Sequence, residues 1–318
     1  MDAGLLYQNA TVKSKETLLL GADRLQRIAD AASLEEAMRL LAEAGYPAGD
    51  SCDEILFAAE RDASLLFKSC IAKGYGLELF LIADDYHNAK VAAKAFYFGS
   101  GKDSYKPEGT LSYATLEGAA ESGDHKALPP KMSEAFDEIS KLRAKENLYP
   151  SSVDILLDKA AFAEISAKLK GAHKVIRAYF TLLADLKNIS VAYRAGKAGL
   201  SRERAEAMLL PAGELSARDL MRIYDLGEEA ADKITASRAV KDALSLLKEG
   251  TTAYEVYTDN VLLALFKKER YDMFSPAPIA GLYIGKQREI KNIRLLLALI
   301  ANGGDKEIIR KRMRELYV

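Results

Sequence analysis

Hydrophobic residues recur at steps of three and four along most of this chain, the spacing of an α-helix with one apolar face. The clearest run covers residues 79–96, and runs with the same step cover 179–193 and 290–300. The apolar positions of the first run are Leu79, Ile82, Ala83, Tyr86, Ala89, Ala93 and Phe96. Alternating β-branched runs are nearly absent, whereas Ala, Leu, Glu, Lys and Arg dominate. The pattern predicts an all-α protein.

A polar signature accompanies each of these three apolar runs. An acid stands three residues before an asparagine, and a glycine follows the asparagine eleven residues later. The repeat positions are Asp85, Asn88, Gly99, Asp185, Asn188, Gly199, Glu289, Asn292 and Gly303. Residues three apart share one helical face. The glycine stands three turns further on, where a left-handed helix cap favours a residue without a Cβ.

Turn signals repeat with nearly the same period. The string Pro107-Glu-Gly109-Thr-Leu111-Ser112 recurs as Pro211-Ala-Gly213-Glu-Leu215-Ser216, at a spacing of 104 residues. The sequence therefore predicts three similar units, each a small helical bundle. Their predicted bounds are 1–107, 108–211 and 212–318. Solenoid repeats are 20–50 residues long, so this longer period favours whole domains.

Composition narrows the class of protein. The 318 residues carry 45 Lys and Arg against 46 Asp and Glu, a balance that argues against a chain built around nucleic-acid binding. The apolar run 295–301 is far shorter than the roughly 20 residues of a membrane span, and the N-terminus lacks a signal-peptide pattern. Cys52 and Cys70 form no CxxC pair. We expect a cytoplasmic protein with free, buried thiols.

The residues that carry chemistry are sparse. His87, His125 and His173 are the only histidines, and none stands at ligand spacing from a cysteine or an acid. A cysteine could meet a histidine in space, but no local signature supports a nucleophile. We therefore expect no catalytic residue, no metal site and no bound cofactor.

A basic segment near the C-terminus is the main candidate for a charged interface. Residues 286–315 hold nine Lys or Arg against four acids. Such a segment suits an acidic protein surface, anionic lipid headgroups or RNA, although no aromatic platform for RNA accompanies it. A solvated helical face is the alternative. The candidate docking positions are Arg310, Lys311 and Arg312.

The repeated acid and asparagine positions admit two interpretations. Lys90 and Lys94 follow Asn88 by two and six residues, which puts cations on the same helical face. The polar residues could form a network that fixes each helix within its own unit. They could instead line a polar surface shared between the units. Packing is the simpler interpretation, and we favour it.

The order of several short strings resembles a known family. They are Tyr7-Gln-Asn-Ala10-Thr-Val12-Lys, Ser33-Leu34-Glu-Glu-Ala37 with Gly45-Tyr46, Asp185-Leu-Lys-Asn188-Ile189 with Arg194 and Gly199, Pro211-x-Gly213-x-Leu215-Ser216, and Glu289-Ile-Lys-Asn292-Ile-Arg294 followed by Ile309-Arg310 and Tyr317. Over essentially its whole length the chain resembles the C subunits of bacterial and archaeal V/A-type rotary ATPases, and it is similar to the d subunit of the eukaryotic V-ATPase. Two positions depart from the repeat. Ser190 stands where a basic residue is expected two positions after the asparagine, and Ala89 stands where the other two copies have isoleucine.

The resemblance implies a non-catalytic connector in the central stalk of a rotary motor. Three similar helical bundles, in a pseudo-threefold funnel, would cap the membrane proteolipid ring and hold the narrow end of the shaft. The implied partners are shaft subunits of the D and F type and the ring itself, with one copy of the chain per complex. The complex would couple ATP to H⁺ or Na⁺ transport at the cytoplasmic face. An α-helical scaffold or adaptor unrelated to rotary ATPases and an enzyme without a recognisable motif are the alternatives.

Overall fold

The computed structural model describes residues 3–100, 104–304 and 311–318, and no strand is assigned among them. The all-α prediction is confirmed. Short 3₁₀ helices cover Glu16–Leu18 and Gly227–Ala230. The α-helices are α1 (Ala3–Lys15), α2 (Ala22–Ala29), α3 (Leu34–Glu43), α4 (Cys52–Ser69), α5 (Glu78–Phe98), α6 (Tyr113–Ser122), α7 (Pro130–Ala144), α8 (Pro150–Leu169), α9 (Lys174–Lys197), α10 (Arg202–Ala207), α11 (Ala217–Leu226), α12 (Arg238–Leu246), α13 (Thr251–Lys268) and α14 (Ala277–Ala301).

Local sequence explains where several helices begin. Ser33 and Ser51 are the N-caps of α3 and α4, and each hydroxyl accepts a hydrogen bond from the backbone N–H three residues later. Glu36 and Glu54 then accept bonds from the backbone N–H groups just before these caps. Such reciprocal capping satisfies N–H groups that have no partner inside the helix.

The three apolar runs form the long helices α5, α9 and α14. The sequence predicts an irregular loop over residues 272–281. The second half of this stretch is helical, because α14 already begins at Ala277. Pro278 lies in the first turn of that helix, where the missing proline N–H breaks no hydrogen bond.

By contact, the chain divides into two compact units. We call residues 76–244 the central unit, which holds the acid–asparagine helices α5 and α9. Residues 1–75 together with 245–318 form the terminal unit, which holds α14. This division does not test the three repeat units, whose bounds at 107 and 211 stay a prediction.

The core of the central unit surrounds α5 and α8. In it α5 packs against α6 and α8, α7 packs against α8, and α9 packs against α11. Fully buried side chains of this core include Leu116, Met132, Phe136, Val153 and Leu157.

The core of the terminal unit joins the two ends of the chain. Helix α14 packs against α1, α2, α3, α4 and α13. Leu20, Leu41 and Leu56 from the N-terminal part share one core with Ile293 and Leu296 of α14. This bundle therefore forms only when segments more than 200 residues apart meet.

The C-terminal residues lie against the same bundle. Tyr317 is buried against two glycines of α14. A Cβ at either Gly281 or Gly285 would lie 2.5 Å from its side chain, so the ring packs this closely only because both residues are glycine. The Lys267 ammonium donates to the carbonyl oxygen of Leu316 at 3.0 Å, and the Arg270 guanidinium lies 5.2 Å from the Tyr317 ring centroid. The end of the chain is thus part of the packed structure.

Candidate functional site

Each repeated asparagine clamps the backbone of a later loop. Asn88 Nδ2 donates to the carbonyl oxygen of Lys106, and Asn88 Oδ1 accepts from the Lys106 N–H, both at 2.9 Å. Asn188 makes the same pair of bonds with Leu210, at 2.9 and 2.7 Å. A carboxamide can donate and accept at once, so it pairs with both polar groups of one backbone residue.

The third asparagine makes the same clamp near the end of the chain. Asn292 Nδ2 donates to the Arg314 carbonyl oxygen, and its Oδ1 accepts from the Arg314 N–H, both at 2.9 Å. The clamped residue follows its asparagine by 22 positions here and in the second copy, and by 18 in the first. The repeat seen in the sequence is therefore a repeat of one backbone contact.

The acids of the first two copies hold the P-x-G-x-L-S string. Asp85 accepts hydrogen bonds from the N–H groups of Thr110 and Leu111, at 2.7 and 3.0 Å, and from the Thr110 hydroxyl. Asp185 accepts from the N–H of Leu215 at 3.0 Å. Burial raises the pKa of both carboxyls above the ordinary 3.8, although the backbone N–H bonds act in the opposite direction.

The glycine of that string makes room for the acid. A Cβ at Gly109 would lie 2.4 Å from Asp85 Oδ1, and one at Gly213 would lie 2.3 Å from Asp185 Oδ1. The serine that ends each string is the N-cap of the next helix, α6 or α11. Each string thus brings the chain close to a carboxylate and then starts a helix.

The third acid takes its partners from the other end of the chain. Glu289 Oε2 accepts from the Leu20 N–H at 2.7 Å, and Oε1 accepts from the Tyr46 hydroxyl and the Lys286 ammonium, both at 2.5 Å. Burial and the adjacent Glu289 charge raise the pKa of Tyr46 well above its usual value. Glu289 therefore joins the N-terminal segment to α14.

The remaining repeat positions also act inside their bundles. Gly99, Gly199 and Gly303 follow α5, α9 and α14 with φ of 69°, 64° and 61°, a left-handed conformation that favours glycine. Lys90 and Lys94 contact Asp158 and Asp154 of α8 at 2.7 and 2.6 Å. Each of the hydrogen bonds given above for the three acid–asparagine pairs joins two residues of the same contact unit, central or terminal.

Sequence reasoning missed the residues that these asparagines clamp. A signal was present, since Lys106 and Leu210 each directly precede the proline of a P-x-G-x-L-S string. The partners of Glu289 had no such signal, because Leu20 and Tyr46 lie at the opposite end of the sequence.

Three of the nine cations of the basic segment contact one buried acid on α13. Asp259 lies 2.8 Å from Arg288, 2.9 Å from Lys291 and 3.0 Å from Arg314. Burial alone would raise the pKa of Asp259, but the charges of Arg288 and Lys291 outweigh it and hold the pKa below 3.8. The cations that meet Asp259 therefore stabilise the terminal unit.

The candidate docking residues are placed differently from these paired cations. Lys311 and Arg312 are exposed, and neither forms an ion pair with another described residue. Arg310 lies outside the described residues. The exposed part of the basic segment includes these two side chains and Arg294.

We predict that Asp259→Asn destabilises the protein by about 1.5 kcal/mol at pH 7, because hydrogen bonds to a charged partner are lost. The folded-state pKa is depressed, so this stabilisation is complete above the unfolded value near 3.8 and is lost as pH falls through the folded pKa. Thermal unfolding of both proteins from pH 7 to pH 2.5 measures it. A gap in midpoint that stays constant over this range would contradict the prediction.

The histidines and cysteines have local structural contacts. His125 Nδ1 lies 2.7 Å from Asp137, and His87 Nε2 lies 2.7 Å from the Ser104 carbonyl oxygen. Both cysteines are free, and burial raises the pKa of each thiol. In residues 3–100, 104–304 and 311–318 no group of three or more His, Cys, Asp or Glu is placed to hold a metal ion. Over the same ranges, no helix combines the length and apolar character that a membrane span requires.

Comparison with known proteins gives one consistent result. Residues 8–312 match the model of the family described as ATP synthase (C/AC39) subunit. The C subunit of the A-type ATP synthase of Desulfurococcus sp. (strain SY) is 24% identical over 98% of this chain and 90% of its own length. The corresponding protein of Thermococcus gammatolerans is 25% identical over 97% and 89%. The C subunit of the V-type sodium ATPase of Enterococcus hirae is 22% identical over 97% and 98%.

Proposed function

The chain belongs to the ATP synthase (C/AC39) subunit family, and we propose that it is the connector in the central stalk of an A/V-type rotary ATPase. It is a structural subunit of such a complex and is not itself catalytic. In the proposal it links the rotating shaft to the membrane proteolipid ring and transmits torque for ATP-coupled H⁺ or Na⁺ transport. The match over residues 8–312 is the observation that carries this proposal.

The clamps support a mechanical role. A connector has to resist bending between its two interfaces, and loops are where a helical bundle yields most easily. Here, each acid–asparagine helix is hydrogen bonded to a loop later in the chain, through Lys106, Leu210 or Arg314. The three asparagines are buried, and hydrogen bonds are stronger in a protein interior than in water. We infer that they stiffen the chain against torque.

The connector needs two separate interfaces. One would hold shaft subunits of the D and F type, and the other would rest on the ring at the cytoplasmic face of the membrane. Each should bury at least about 1,200 Å² to persist, as specific stable interfaces do. One copy per complex follows from a single shaft and a single ring.

The proposed organisation is three similar bundles, each built around one of α5, α9 and α14, in the funnel expected from the resemblance. What supports it is the recurrence of the same clamp on all three helices. The bounds 1–107, 108–211 and 212–318 stay a separate prediction from the sequence.

We propose that the surface of this chain that docks on the ring includes Arg310, Lys311 and Arg312. Lys311 and Arg312 are exposed and form no ion pair with another described residue. They could therefore pair with acids of a partner without breaking an existing ion pair. Arg288, Lys291 and Arg314 are unsuited to this role because Asp259 already engages them.

Affinity purification of the tagged full-length chain from detergent-solubilised membranes tests the proposed function. We expect the shaft and ring subunits of the ATPase to be recovered with it. Recovery of neither would contradict the connector role and would favour the scaffold alternative. Recovery of the shaft alone would contradict the ring contact.

In the same assay, we predict that the double charge reversal Lys311→Glu with Arg312→Glu reduces recovery of the ring roughly tenfold at low salt, with a smaller effect at high salt. The control is Lys126→Glu with Lys145→Glu, which changes the net charge equally at exposed positions of the central unit. Equal recovery with both double variants would contradict the docking site while leaving the connector role intact.

A further inference from the structure

An apolar cavity of about 140 Å³ lies in the terminal unit, between α1, α4 and α14. An engineered cavity of about 150 Å³ lined by apolar side chains in another protein binds benzene. The cavity here is thus large enough for a group of that size. Two of its lining residues, Tyr46 and Lys286, also contact Glu289, and Lys286 is the first cation of the basic segment.

The wall of this cavity is mostly apolar, and several of its side chains are buried. Six of the residues that line it are Val12, Leu19, Ala59, Leu66, Ile279 and Leu282. Phe67 and Tyr283 form one side as a stacked pair, with ring centroids 4.2 Å apart and an interplanar angle of 13°. Both rings are buried, so this side is formed before any ligand arrives.

Exposed side chains show where the cavity opens. Lys15, Leu18 and Asp62 line it and are exposed to solvent. The Leu18 side chain is 54% exposed, so the apolar surface continues from the cavity to the outside. A ligand can therefore enter with part of its length still in water.

Two ammonium groups and one carboxylate line the cavity. Lys286 contacts Glu289 Oε1 at 2.5 Å and lies 3.9 Å from the Tyr46 ring centroid, which leaves two of its three N–H donors for other partners. Lys15 forms no ion pair with the residues described by the structure. Asp62 is the single acid of the lining. Lys286 is already paired with Glu289, so an anionic head group would be held by the Lys15 ammonium together with the remaining N–H donors of Lys286.

We propose that this cavity binds an amphiphilic organic anion, with its alkyl chain between α1, α4 and α14 and its anionic head at Lys15 and Lys286. The ligand class is an alkyl chain that ends in a carboxylate or phosphate, whether free or part of a membrane lipid. The site belongs to the isolated chain and goes beyond the connector role, so either proposal can fail without the other.

Calorimetric titration of the full chain with octanoate, octanol and octylammonium tests the site. We expect octanoate to bind tightest and octylammonium weakest, because the tails are equal and only the head group differs. Absence of saturable octanoate binding would overturn the proposal. Tightest binding of octylammonium would overturn the anionic head group.

Variants locate the binding in the cavity. Ala63→Leu, which fills the cavity, should weaken binding of octanoate and octanol by about tenfold, the effect of leaving two methylene groups in water. Ala58→Leu is the matched control on α4, because Ala58 is half-buried but does not line the cavity. Equal affinity of Ala63→Leu and the wild type would overturn the site.

Lys15→Gln tests the head group separately. It should weaken octanoate binding about threefold at low salt, as expected for one partly exposed charge, and leave octanol binding unchanged. An equal loss for both probes would overturn the role of Lys15. Competition of octanoate by anionic phospholipid vesicles would favour a membrane lipid as the source, and lack of competition would favour a free amphiphilic anion.

Discussion

Gly196→Ala is expected to destabilise the central unit by about 2 kcal/mol, although alanine forms helices better than glycine. A Cβ at position 196 would lie 2.1 Å from the carbonyl oxygen of Tyr224 and 3.0 Å from its carbonyl carbon. The obstacle is backbone, so α9 and α11 have to move apart. Overpacking of this kind costs about 1–3 kcal/mol, more than the roughly 1 kcal/mol gained from helix propensity.

Gly118→Ala is the matched control for this prediction. Gly118 lies inside α6, and a Cβ there would meet nothing within 4 Å. The control should stabilise the protein by about 0.5–1 kcal/mol, because only the propensity gain remains. Urea unfolding followed by far-ultraviolet circular dichroism measures both effects. A shift of the two midpoints in the same direction would show that the contact between α9 and α11 is not tight.

Asn188→Ala is expected to cost about 3 kcal/mol of stability. The substitution leaves both the N–H and the carbonyl oxygen of Leu210 without their partner in a site where Asn188 is only 3% exposed. Each buried polar group left unpaired costs about 1–3 kcal/mol. The same urea experiment measures the loss.

Two further variants separate the clamp from loss of volume. Asn188→Asp keeps the acceptor for the Leu210 N–H but places a second carboxylate oxygen against the Leu210 carbonyl oxygen. Its deficit should therefore shrink at low pH, where a protonated carboxyl can donate again. Asn302→Ala is the control, because Asn302 is exposed and, among the described residues, its side chain bonds to its own helix, so a change within about 0.5 kcal/mol is expected. A loss at Asn302 as large as at Asn188 would remove the case for a special clamp.

The repeat could be recognised from sequence because its parts are local. An acid and an asparagine three apart share a helical face whatever the helix packs against. What each pair binds could not be found in the same way. Asn188 reaches Leu210, and Asp185 reaches Leu215, across a loop and the short helix α10. The conformation of that connection depends on how α9 and α11 pack.

The basic segment shows the same limit more sharply. The sequence reveals an excess of positive charge between residues 286 and 315, and it does not reveal which charges are already paired. Three of these cations meet Asp259, an acid on α13 that is 8% exposed. Once these three are set aside, the exposed cations of the described part of the segment that form no ion pair there include Arg294, Lys311 and Arg312.

The sequence by itself determined the all-α class, the three long helices and the repeated acid–asparagine face. These features depend on hydrogen bonds and side-chain contacts between residues three to four apart. Only the tertiary structure decided that Glu289 binds Leu20, 269 residues away, and that both ends of the chain complete one bundle. It also created the cavity between α1, α4 and α14. Such contacts depend on which apolar faces pack together in three dimensions. The periodicity within one helix predicts that it has an apolar face but does not indicate which other helix packs against that face.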